Sequence, residues 1–104
     1  EIASDPYQAK GDAPELVKKH YRETAERLVE TANRFGKDSQ MWIKCYSIEN
    51  GREEDIAEAV NVSYKAGIRN IFSWSYKASE YLSWLRSDNP EKAWNTYLHA
   101  LNKL

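Results

Sequence analysis

Asp5, Tyr7, Trp42, Lys44, Tyr46, Trp74 and Tyr76 fall at or near the C-terminal ends of three short strand-like runs. The runs are Ile2–Tyr7, Met41–Ser47 and Asn70–Tyr76. Parallel α/β folds place their chemistry at the C-terminal ends of strands. Flat aromatic faces suit the CH side of a sugar ring, and a carboxylate accepts from its hydroxyls. These seven residues therefore form a candidate carbohydrate-binding set. Trp74 is the expected stacking floor, and Asp5 and Tyr7 the hydroxyl ligands. Lys44 is expected to orient a carboxylate or an acidic sugar. Trp42, Tyr46 and Tyr76 complete the set.

The elements that must position them are regular. In the first helix, Pro14 and Glu15 suit the first turn, and Asp12 is the expected N-terminal cap. Val17, Tyr21, Ala25, Leu28, Ala32 and Phe35 recur at three- and four-residue steps along one face. Gly36 is the stop. Lys18, Lys19, Arg22, Glu26, Glu30 and Arg34 make the opposite face a solvated one. A second helix is expected from Glu53 to Ala66, with Ile56, Ala59, Val60 and Ser63 as its buried stripe and Gly67 as its stop. Ala78 to Arg86 reads as a short third helix. Asp88-Asn89-Pro90 then opens a last helix through Trp94, Tyr97, Leu98, Leu101 and Leu104.

The order is β-α-β-α-β-α-α. Strands joined by helices of this length must run parallel, because hairpin-length turns are absent. In the second run Met41, Ile43 and Cys45 should face the helices, and Trp42, Lys44 and Tyr46 the other side. A doubly wound sheet would bury Lys44 badly, whereas the lumen of a closed barrel would let it reach a polar mouth and pair with Asp5 or Glu49. The alternative is an edge strand, with the Lys44 ammonium reaching solvent along its aliphatic stem. No Gly-rich phosphate turn follows any strand, which argues against a dinucleotide fold. No cofactor is expected.

Composition narrows the class further. At 104 residues the chain is one domain or part of one. A net charge of −1 offers no electrostatic reason to expect nucleic acid or an anionic membrane. No run approaches the roughly 18 apolar residues of a membrane span. Cys45 is the single cysteine, so no disulfide framework exists, and the compartment is left open. His20 and His99 have no ligand partner at metal spacing, so no metal is expected. The start inside a strand, without Met, and the two open edges of a three-stranded sheet imply an incomplete domain.

This pattern resembles the last part of a (β/α)8 barrel of the glycoside-hydrolase type. Ser4-Asp5-Pro6-Tyr7 is similar to the sixth-strand end of a group of sugar-hydrolysing barrels. Met41–Tyr46 resembles their seventh strand, and Ile71-Phe72-Ser73-Trp74-Ser75-Tyr76 their eighth. Residues 1–104 would then be a single partial domain, its strands standing for the sixth to eighth. Ile48-Glu49-Asn50-Gly51 looks similar to the Thr-Glu-Asn-Gly segment of some β-glucosidases, with Ile48 in place of Thr. The resemblance implies that Glu49 is the nucleophile. Read on its own residues, Glu49 is equally a loop residue ahead of the second helix. Retaining hydrolysis needs two carboxyl groups about 5–5.5 Å apart. The partner acid belongs to an earlier strand that this chain lacks, so the isolated chain is expected to be inactive.

Two readings of function follow. In the first, the chain is the C-terminal segment of a carbohydrate-processing barrel. It carries part of a sugar site and meets the missing N-terminal portion through its sheet. In the second, it is a small non-catalytic α/β module. That module assembles through its open sheet and binds a ligand or protein partner.

Overall fold

The computed structural model describes residues 2–75 and 85–104. Among them are β1 (Ile2–Ser4), α1 (Pro14–Phe35), β2 (Ser39–Lys44), α2 (Glu54–Lys65), β3 (Asn70–Trp74) and α3 (Pro90–Asn102). The three strands form one parallel sheet in sequence order, with β2 in the centre. The fold is a small α/β domain. The short third helix expected over Ala78–Arg86 lies outside the described residues except for Leu85 and Arg86, which form a turn and irregular chain.

Local chemistry explains most element ends. Gly36 takes φ +63°, a left-handed conformation that costs glycine little. Gly36 N–H then donates to Asn33 O, and Lys37 N–H to Ala32 O, closing α1 in a Schellman motif. Gly67 ends α2 the same way at φ +114°, with Gly67 N–H on Tyr64 O and Ile68 N–H on Ser63 O. A Cβ there would meet Val29 Cγ1 of α1 at 3.3 Å, so the glycine also permits close approach of the two helices. The Asn89 side chain caps α3 by accepting from Lys92 N–H at 3.1 Å.

Two expectations at helix ends are corrected. Asp12 does not cap α1. Ala13 stands at that position, and the Asp12 carboxylate instead accepts from Ala9 N–H at 2.9 Å, closing the preceding turn. The aspartate lies one residue too early to reach the helix amides. Phe35, expected on the buried stripe, is 66% exposed, because the Gly36 turn leaves the packed face directly after it.

The core lies between the sheet and the helices. Met41 and Ile43 of β2 are completely buried, as are Tyr21 and Ala25 of α1 and Ile56 and Val60 of α2. Helix α2 packs against α1, α3 and β2, which is why it buries Ala57 and Val62 beyond the single expected stripe. The strand register sets Trp42 beside Phe72 and Lys44 beside Trp74 on the opposite face. Phe72 and Trp74 are each 41% exposed there. One face of the sheet is therefore sealed by helices, and the other is open among the described residues.

Candidate functional site

The strands are shorter than the sequence runs, and this shapes the site. β1 stops at Ser4, where Pro6 has no amide hydrogen to continue a ladder. Tyr7 N–H instead donates to Asp5 O at 2.6 Å, a tight turn that brings Asp5 and Tyr7 to the strand end. Ala3, Ser4, Asp5, Tyr7, Trp42 and Trp74 line an open groove of about 330 Å³ on the free face of the sheet.

Aromatic packing organises the groove walls. Trp42 stacks on Phe72 with centroids 5.2 Å apart, and its indole N–H donates to Gln40 Oε1 at 3.3 Å. Tyr46 meets Tyr7 edge-on at 5.6 Å and Trp74 edge-on at 5.3 Å. Such edge contacts match the positive rim of one ring to the negative face of another. Burial, reinforced by the Asp5 carboxylate, pushes the Tyr7 phenol up to about 12. Tyr7 thus keeps its proton at neutral pH and can donate to a ligand as Asp5 accepts.

Lys44 departs from both expectations held for it. It lies on the central strand, not an edge, and is only 4% exposed. Its ammonium donates to the carbonyl of Gln8 at 2.9 Å and sits 5.0 Å from the Tyr46 ring centroid. Neither Asp5 nor Glu49 forms a salt bridge with it. A main-chain carbonyl and a ring face satisfy the ammonium where it is buried. Burial lowers the Lys44 pKa first, and Lys10 lowers it further, against the opposing pull of Asp12 and Glu49.

The same region holds a buried polar network that residue patterns did not reveal. Tyr21 Oη accepts from Lys44 N–H at 3.1 Å and donates to Gln8 Oε1 at 3.2 Å. Gln8 is thus held twice, once by its carbonyl and once by its side chain. The usable signal was Tyr21 itself, since a tyrosine on an apolar stripe must find a partner for its hydroxyl. Tyr21→Phe should cost about 1–3 kcal/mol, because it strands the buried Lys44 amide and the Gln8 amide oxygen. Urea denaturation of the two proteins reads this directly, and a loss below about 0.5 kcal/mol would contradict the network.

Glu49 occupies a different place. It borders a second, narrow cavity of about 20 Å³ with Gln8, Lys10, Lys44 and Arg52. Space of that size holds about one water. Arg52 Nε donates to Asp55 Oδ2 at 2.9 Å, and its Nη2 donates to the Asp12 carbonyl. The loop after β2 that carries Glu49 is anchored by residues 85–88. Ile48 N–H donates to Ser87 Oγ, Ser47 N–H to Leu85 O, and Asp88 N–H to Ile48 O.

The structure therefore brings Asp5, Tyr7, Trp42 and Trp74 together in one groove, with Tyr46 bridging Tyr7 and Trp74. It sets Lys44 and Glu49 at the neighbouring cavity. Tyr76 lies outside the described residues. Cys45, expected toward the helices, is 5% exposed there, and burial pushes its thiol up to about 12, so it is no ready nucleophile. Among the described residues no group of three or more His, Cys, Asp or Glu side chains could hold a metal ion. No described helix is long and apolar enough to cross a membrane. Comparison with protein-family models, with curated proteins and with solved structures found no match to this chain.

Proposed function

We propose that the groove is a saccharide-binding surface and that the chain is the C-terminal segment of a glycoside-hydrolase-like (β/α)8 barrel. The observation that carries this reading is the grouping of Asp5, Tyr7, Trp42 and Trp74 in one groove at the C-terminal ends of parallel strands. The indole faces supply apolar area for the CH side of a ring. The Asp5 carboxylate accepts from sugar hydroxyls, and the Tyr7 phenol donates to them. In a complete barrel the sheet face opposite the helices lines the lumen, which accounts for aromatic residues on a face that no helix covers among the described residues.

Catalysis would need the missing strands. Asp5 is the one carboxylate of the groove, and Glu49 borders the other cavity. The two carboxylates thus border different cavities. The isolated chain is expected to bind sugar without turning it over.

The test is titration of the chain with a neutral oligosaccharide, followed by amide chemical shifts. Residues around Trp42 and Trp74 should respond, with a Kd on the order of 1 mM. Trp74→Ala should weaken binding about tenfold, the effect of losing one stacked ring, while leaving the fold intact because the residue is half exposed. Shifts confined to other surfaces, or equal binding by Trp74→Ala, would overturn the reading.

A second reading rests on the exposure of Phe72 and Trp74 on a sheet whose two outer edges are unpaired among the described residues. Such a face suits a module that assembles through its sheet. Sedimentation separates the two readings. A mass that rises with concentration, together with absent sugar shifts, favours the assembling module.

A further inference from the structure

Resting on the saccharide reading, we propose that the groove selects an amine-bearing, cationic sugar over neutral and acidic ones. The charge of the groove and the kind of its walls both point there. Of the six described residues that line it, Asp5 supplies the carboxylate, and none is Lys, Arg or His. Asp5 is exposed, and among the described residues no salt bridge engages its side chain. Around it stand the rings of Tyr7, Trp42 and Trp74, whose π faces attract a cation. A carboxylate among aromatic faces suits an ammonium group better than a hydroxyl. It repels the carboxylate of a uronic acid.

Lys44 does not oppose this. The Lys44 ammonium is absent from the groove lining, is buried, and is committed to the Gln8 carbonyl and the face of Tyr46. It offers no donor in the groove to an acidic sugar, which removes the orienting role that the strand pattern had suggested for it. Stacking supplies the general affinity for a ring, and Asp5 with the aromatic faces supplies the choice among rings.

Three tetramers of the same β-1,4 linkage test this, built from glucose, from N-acetylglucosamine and from glucosamine with its amines protonated. Calorimetric titration at low salt should show the glucosamine tetramer binding about five- to tenfold tighter than the other two, the combined effect of one exposed cation–π contact and one exposed ion pair. Asp5→Asn should weaken the glucosamine tetramer more than the other two and cut its preference to about two- to threefold, the share left to the cation–π contact. Glu15→Gln, which removes an exposed acid of α1 that is absent from the groove lining, should keep the preference. Equal or tighter binding of the glucose tetramer by the unaltered chain overturns the amine selectivity and leaves the saccharide reading standing. A preference that survives Asp5→Asn undiminished overturns it as well. Binding of none of the three overturns both.

Discussion

Between about pH 9 and pH 12 the folded protein is expected to lose several kcal/mol of stability, a large part of the ~5–15 kcal/mol typical of a small domain. Cys45 is the main cause. Burial raises its thiol from 9.0 to about 12 in the folded chain. In that interval the unfolded chain has released the thiol proton and the folded chain still holds it. The unfolded state binds fewer protons, so stability falls as pH rises. Crossing the whole interval costs about 4 kcal/mol through this group alone. Tyr21 and Tyr97, whose phenols are raised chiefly by burial, act in the same direction above their ordinary value of 10.0. Lys44 acts oppositely. Its folded pKa is lowered from 10.5, so the unfolded chain binds more protons in its window and stability rises there. One lysine does not offset the thiol and the phenols together. Urea melts at about pH 8 and about pH 11 measure the net loss, and Cys45→Ala should flatten the slope by the thiol share. A stability that is level across this range would contradict the burial of Cys45.

The two faces of the sheet should answer truncation very differently. Ile43→Ala removes a fully buried side chain between β2 and the helices, and should cost about 2–5 kcal/mol. Phe72→Ala removes a 41% exposed ring whose chief aromatic partner is Trp42, and should cost about 1 kcal/mol. Denaturant midpoints at constant slope give both numbers. If Phe72→Ala costs as much as Ile43→Ala, the face that is open among the described residues is covered in solution, and a mass that rises with concentration would assign that cover to a second chain. That result would favour assembly through the sheet over a free sugar groove.

The contrast between these faces is legible in the sequence. Met41, Ile43 and Cys45 alternate with Trp42, Lys44 and Tyr46, and the parallel register follows that alternation across β2 and β3. The glycine stops at Gly36 and Gly67 and the Asn89-Pro90 start are short-range signals, readable because only a few residue types suit those backbone positions. Long-range polar partners were not readable. Lys44 ends on the carbonyl of Gln8, thirty-six positions away, and a main-chain carbonyl carries no trace of residue type. Asp12 failed as a cap by a single residue, a shift within the ordinary uncertainty of helix ends. Asp5 and Glu49 both follow strands, yet they border different cavities, because the tight turn after β1 and the anchored loop after β2 direct them separately. Spacing along the chain holds no information about that divergence.

Gln8 ties down the segment that leads into the groove, although it is absent from the groove lining. β1 offers three paired residues to its neighbour, a slender seam for the strand that leads to Asp5 and Tyr7. Just past Tyr7, the Gln8 clasp fastens that segment to Lys44 of β2 and Tyr21 of α1. The Tyr7 wall is therefore held from two sides, by the Tyr46 ring beside it and by the Gln8 clasp behind it. The placement of that wall and the chemistry of its surface thus rest on different side chains, so one can change while the other is kept.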